Sequence, residues 1–311
     1  MHGLNNLGNT CGVNSLLQCI AHSPVLHEIL VSTSGPTSSG LHSQLADVIR
    51  KLCDTQVAPH GFLNALHVAF KGLLVPGEQQ DIVELWMLVV DKIAEEVGVE
   101  APVPVHATEF VSNILAARHM HNNRKESRWI DAVQGTQLSV IECSCGFRQA
   151  NVEVFTNIAV NLPPQASGPV EVTDLLREYF AQEPLGCWKC DQCKSVGRAV
   201  KQNVIVAEPP PVLIVSLKRF TSNGAKINVP VEVAEYFQFK DKKFKLMAIG
   251  QHHGVHFGGH YVAICRRPSP STEASAAAAG WCLYDDEKVY NIGPELRYER
   301  TCVYFLIYER E

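Results

Sequence analysis

The chemistry in this chain starts from one thiol, one imidazole and a pair of carboxylates. The thiol is Cys11, which ends a run rich in Asn and Gly, Gly3-Leu4-Asn5-Asn6-Leu7-Gly8-Asn9-Thr10, and heads an apolar stretch. Leu16, Leu17, Ile20, Val25, Leu26, Ile29 and Leu30 have the spacing of a buried helix over 16–30 and put Cys11 at a helix N-terminus. Unpaired N–H groups and the helix dipole favour negative charge there, so a thiol with a free pKa of about 8.5 is drawn towards the thiolate. The imidazole is His260, at the end of Gly254-Val255-His256-Phe257-Gly258-Gly259, with Tyr261 after it. The carboxylates are Asp285 and Asp286, which follow the apolar run Trp281-Cys282-Leu283-Tyr284. A single buried Cys is ordinarily core packing, and a single His an ordinary core group. Together, thiol, imidazole and carboxylate are the nucleophile, base and orienter of covalent catalysis, and such partners meet only in the fold.

Composition sets the frame around them. At 311 residues, 46% hydrophobic and 19% charged, the chain has ordinary globular proportions and enough length for a sizeable core. No apolar run approaches the roughly 18 residues that cross a bilayer, and no basic-then-apolar leader opens the sequence. The expectation is a soluble, intracellular protein, cytoplasmic or nuclear. Eleven scattered cysteines then read as free thiols and metal ligands, not as a disulfide framework. A net charge of -5 without a basic stripe excludes a general nucleic-acid binder and suits a partner with a basic tail.

Further helices are expected over 41–52, 62–73 and 82–97, with a loop over 32–40. Residues 101–127 have no clear periodicity, and His119, His121, Asn122, Asn123, Arg124 and Lys125 read as a solvated face. Strand patterns begin at Gln137 and continue over 138–145, 152–162, 212–220, 229–239, 244–250, 261–265, 280–284 and 302–308. A Pro-, Ser- and Ala-rich loop is expected over 268–280. Cys190 and Cys193 have C-x-x-C spacing, and an upstream pair, Cys143 and Cys145, sits on a predicted hairpin. Two such pairs would make a closed tetrahedral thiolate site for a structural zinc, with Cys187 as a spare ligand. The C-x-C spacing strains such a site unless the hairpin turn adapts.

The Cys11 and His260 segments, with Gln79-Gln80-Asp81-Ile82-Val83-Glu84-Leu85 and Leu213-Ile214-Val215-Ser216-Leu217-Lys218-Arg219-Phe220, resemble the motifs of the ubiquitin-specific proteases over nearly the whole chain. That resemblance implies an α+β, papain-like fold over 1–311: a helical thumb over about 1–130, fingers over 135–205 and a palm sheet over 206–311. It implies a thiol-dependent deubiquitinase that cuts the amide or isopeptide bond after the C-terminal glycine of ubiquitin and acts as a monomer. Cys11, His260 and Asp285 would be the triad and Asn6 the oxyanion donor. Asp286, the rival orienting carboxylate, would assist near the oxyanion. Asp81 and Glu84 would meet basic residues of the ubiquitin tail, although Asp81 also reads as a helix N-cap. Gly258, Gly259 and Tyr261 would line the tail's path. Zinc in the fingers belongs to the same picture, with Glu142 standing where a first cysteine is usual.

Two further departures concern the cleft. Val83 replaces a usual polar residue, and Gly12-Val13 replaces an aromatic followed by Met or Leu, which alters the packing beneath the thiol. A protease for a ubiquitin-like modifier of the interferon-induced type and a non-catalytic ubiquitin-binding scaffold are the alternative functions.

Overall fold

Apolar stripes at helical spacing build the first part of the chain into α1 (Cys11–Ala21), α2 (Pro24–Ser32), α3 (Leu41–Leu52), α4 (His60–Ala69) and α5 (Ile82–Val97). The computed structural model describes residues 1–33, 38–106, 108–205, 208–255, 258–267 and 280–311. The loop expected over 268–280 therefore lies almost wholly outside the described residues. The single helix expected over 16–30 is two. Pro24 has no N–H to continue α1 and instead takes the first turn of α2, where Ser23 caps by accepting from the Leu26 N–H at 3.3 Å. The first of the two starts at Cys11 itself, and every residue of it is buried.

The stretch 101–127 that showed no periodicity contains α6 (Glu109–His121) and β2 (Lys125–Glu126), with β1 (Val99–Glu100) just before it and α7 (Arg128–Val133) just after. His121 is exposed as expected, but His119 is 3% exposed, so the histidines of this run do not share one solvated face. Helix α6 turns His119 inwards while its neighbour Met120 faces solvent.

Next come β3 (Gly135–Cys143), β4 (Arg148–Phe155), β5 (Ile158–Asn161), β6 (Val170–Glu171), α8 (Val172–Tyr179), β7 (Glu183–Leu185) and β8 (Ala199–Ile205). The chain ends in β9 (Val212–Lys218), β10 (Val231–Glu232), β11 (Tyr236–Phe239), β12 (Lys242–Val255), β13 (Gly258–Arg266), β14 (Trp281–Asp285), β15 (Lys288–Gly293) and β16 (Val303–Arg310). One sheet runs β4-β3-β8-β7, and the large one runs β15-β14-β13-β12-β16-β9-β5, with β11 also on β12. Helices and sheets are thus largely segregated along the chain, an α+β arrangement.

The centre of the large sheet is buried on both faces, and β9 shows why its sequence is one continuous apolar run. Val212 and Ile214 point into the core shared with α1, α3 and α5, whereas Leu213, Val215 and Leu217 point into a second core closed by α8. Just past β9, Arg219 reads in sequence as the basic end of a strand. In the fold it is fully buried. Its Nη1 donates to the Ile227 and Val229 carbonyls at 2.9 and 3.0 Å, its Nη2 to Arg300 at 3.0 Å, and its Nε to Val303. Burial pulls its pKa down to about 10. Arg219→Met would strip donors from several buried carbonyls at once and is expected to cost about 3 kcal/mol or more. Urea unfolding reads that loss, and an unchanged midpoint would show that the carbonyls find other partners.

Candidate active site

The loop before α1 is tied down before it delivers the thiol. Asn6 Oδ1 accepts from the Gly8 N–H at 2.9 Å, and Gly8 and Asn9 take the left-handed conformation that this tight turn needs. The N-cap residue Thr10 turns its hydroxyl back to the Leu7 N–H at 3.0 Å and makes no side-chain cap on α1. The first N–H groups of α1 therefore keep their pull on an anion at Cys11, which is 2% exposed.

Strand β13 brings His260 to the same place. His260 Nε2 lies 2.6 Å from Asp285 Oδ1, at the end of the adjacent strand β14. The next residue, Asp286, takes a left-handed φ of 51° in the turn to β15, and its carboxylate is held by two asparagine amides and not by the imidazole. Asp286 Oδ1 accepts from Asn14 Nδ2 and its Oδ2 from Asn6 Nδ2, each at 2.7 Å. Two adjacent aspartates thus serve different partners. Their oxygens and an imidazole nitrogen lie within 4.8 Å of one another, but amide and imidazole donors already engage both carboxylates.

Opposite β13, the segment before α5 closes the cleft. Gln79 Nε2 donates to Cys11 Sγ at 3.2 Å and also to the Gly259 carbonyl, while Gln79 Oε1 accepts from the Gly259 N–H at 3.1 Å. One side-chain amide therefore spans from the thiol to the residue before His260. Asp81 is committed on both sides. Its Oδ1 caps α5 by accepting from Val83 and Glu84 N–H at 2.8 and 3.2 Å, and its Oδ2 accepts the Tyr261 and Tyr304 hydroxyls at 2.9 and 2.8 Å. Burial and the Asp81 charge hold both tyrosines far above the usual phenol range. Glu84 is exposed, and among the described residues its carboxylate makes no ion pair. The resulting cleft of about 980 Å³ is lined by Glu78, Gln79, Glu84, Phe220, Gly259 and Tyr261, among others. Val83 also lines it, so the wall is apolar where a polar residue is usual. At Gly259, a Cβ would lie 2.3 Å from His252 Nε2 and 2.4 Å from the His253 carbonyl, so internal packing demands that glycine; Gly258 has open space.

Away from the cleft, the tips of the small sheet bring Cys143, Cys145, Cys190 and Cys193 within 4.8 Å of one another. A tetrahedron of zinc–sulfur bonds of about 2.3 Å has edges of about 3.8 Å. Cys143 and Cys193 sulfurs are 3.7 Å apart, and those of Cys145 and Cys190 are 3.8 Å apart. None of the four is in a disulfide, so the set fits a structural zinc with every position filled by protein. The C-x-C turn adapts through Gly146, which at φ 89° lets its N–H reach back to the Cys143 carbonyl at 2.9 Å. Hydrogen bonds from the Ser195 side chain and backbone lower the Cys193 pKa, whereas desolvation and the other three thiols raise that of Cys145, so Cys193 is the first of the two to ionise. Cys187 is exposed and stands outside the converging set.

The model of the ubiquitin carboxyl-terminal hydrolase family matches residues 2–308. The chain belongs to that family. Its curated relatives include ubiquitin carboxyl-terminal hydrolase 21 of Rattus norvegicus, 27% identical over 92% of this chain and 58% of the relative. They also include ubiquitin carboxyl-terminal hydrolase 2 of Rattus norvegicus, 26% identical over 99% of this chain and 53% of the relative. The chain thus spans little more than half the length of those relatives. In fold it resembles a chain of the yeast SAGA DUBm, with a TM-score of 0.76 at 22% identity over 100% of this chain and 68% of the other. It also resembles a chain of the SAGA DUB module bound to ubiquitin aldehyde, with a TM-score of 0.72 at 22% identity over 100% of this chain and 70% of the other.

Sequence reasoning missed two residues of the site in this family member. Asn14, one helical turn after the thiol, faces Asp286, and its spacing from Cys11 was the available signal. Gln79 was visible only as part of a motif. Its contact with the thiol depends on a long-range approach that spacing does not encode.

Proposed function

We propose that this chain is a cysteine-type deubiquitinase that hydrolyses the amide or isopeptide bond after the C-terminal glycine of ubiquitin. The observation that carries this reading is the continuity from thiol to carboxylate: Cys11 Sγ to Gln79, Gln79 to Gly259, and His260 Nε2 to Asp285 at 2.6 Å. Because Asp285 occupies Nε2, Nδ1 is the ring nitrogen that takes the proton from Cys11. The thiolate attacks the glycine carbonyl, and the charge that develops on its oxygen meets the free Nδ2 hydrogen of Asn6, whose other hydrogen is held by Asp286. His260 then gives its proton to the leaving amine. Water, deprotonated by the same imidazole, hydrolyses the thioester and releases the ubiquitin carboxylate.

With Asp81 spent on its helix cap and two tyrosines, Glu84 and Glu78 are the carboxylates on the cleft wall for a basic tail. None of the eleven cysteines is in a disulfide, which supports a reducing, intracellular setting. The net charge of -5 supports a protein partner over nucleic acid, with the chain acting as a monomer.

Turnover of C-terminal amides of ubiquitin and of the interferon-induced ubiquitin-like modifier, measured side by side, tests the substrate. Faster cleavage of the ubiquitin amide is expected; cleavage of the other alone would overturn the assignment. On the ubiquitin amide, Asp285→Ala should lower kcat by roughly 10³-fold or more, since only the group on the imidazole fixes its tautomer. Asp286→Ala, which loosens Asn6 and Asn14 but leaves the imidazole's carboxylate in place, should cost about tenfold. A larger loss at Asp286 would reverse their roles.

A further inference from the structure

Beyond marking where the thiol lies, the Gln79 amide is set up to act on it. Its Nε2 has two hydrogens, one for the Gly259 carbonyl and one for Cys11 Sγ at 3.2 Å. The amide cannot be turned round, because its oxygen would then face the Gly259 carbonyl and its nitrogen the Gly259 N–H. What admits Gln79 to this position is Gly12. A Cβ at residue 12 would lie 2.3 Å from the Gln80 carbonyl oxygen, so any side chain there would push residues 79 and 80 off α1.

We propose that Gln79 is a catalytic residue whose amide donates to the Cys11 thiolate and ties it to the strand carrying His260, with Gly12 as the packing position that lets it in. This rests on Cys11 being the nucleophile. A hydrogen bond donated to the charged form favours that form, so removing it makes the thiol harder to ionise. Several ionisable groups are brought to this end of α1 by the elements packed on it. They are His260 from β13, His252 and His253 from β12, Asp285 and Asp286 from β14 and the turn after it, and Asp81 and Glu84 from α5. Gln79→Met leaves the charge of every one of them unchanged.

The pH dependence of Cys11 alkylation by iodoacetamide, read on the Cys11 peptide of the folded, as-purified chain, tests the proposal. Gln79→Met should move the inflection up by about one pH unit. Gln79→Glu, which can still accept from the Gly259 N–H but loses the donor and gains a charge, should move it further. Gly12→Ala should shift it in the same direction. Unmoved inflections in Gln79→Met and Gln79→Glu proteins that melt like the wild type would overturn the proposal, because a merely structural side chain changes melting and leaves ionisation alone. Alkylation needs no ubiquitin. An unmoved inflection therefore counts against Gln79 alone, and a shifted one without ubiquitin hydrolysis counts against the substrate alone.

Discussion

Cys11→Ala is expected to take hydrolysis of a ubiquitin C-terminal amide down by about five orders of magnitude or more while ubiquitin binding survives. The thiol supplies the bond-forming electron pair, and nothing else near it can. Among the described residues the sulfur nearest in function, Cys302, lies against His253 Nδ1 at 3.4 Å and not against His260. Affinity has a different origin, since the energy of protein recognition is spread over buried anchors on a wide surface. Cys11 is 2% exposed, so trimming its sulfur removes almost none of that surface. Steady-state kinetics and calorimetry with ubiquitin separate the two quantities. Loss of both together would mean that Ala at this position disturbs α1, and Cys11→Ser would then have to show the same separation.

Zinc should be found at about one ion per chain in protein purified without chelators, and Cys190→Ser should lower both that content and the melting temperature by about 5 °C or more. The four sulfurs stand at tetrahedral spacing. They also join two turns that project from the end of the β3–β8 ladder, which closes at Cys143 opposite Ala199. The β3–β4 turn and the segment before β8 meet through the ring stack of Phe147 on Trp188, with centroids 6.4 Å apart, and through the Ser144 N–H to the Arg198 carbonyl at 2.9 Å. Without metal, thiolates so close would repel, and the cluster would open. Zinc well below stoichiometry would make these cysteines packing residues and would leave the cleft chemistry untouched.

How much of this could be read from sequence depends on the range of the interactions. Helices α3 and α5 fall on the expected bounds because their apolar stripes and, for α5, the Asp81 cap are local. The break between α1 and α2 is local too, since Pro24 lacks the N–H that would continue α1. Helix α6 could not be read because its buried side is narrow: only Ile114 and His119 are buried along it. Arg219 reads in sequence only as the basic end of a strand, since the carbonyls that hold it come from residues 227 to 303. Within the site, residue types at motif spacing pointed to Cys11, His260 and the two aspartates. Which aspartate faces the imidazole required the left-handed turn at Asp286, and the reach of Gln79 required the missing side chain at Gly12.

The most direct test of the central claim is covalent capture by ubiquitin carrying a thiol-reactive group in place of its C-terminal carboxylate. The account predicts one adduct per chain, mapped to the Cys11 peptide and slowed by His260→Ala. Capture at another cysteine, or none by ubiquitin alongside ready capture by a ubiquitin-like modifier bearing the same group, would contradict it.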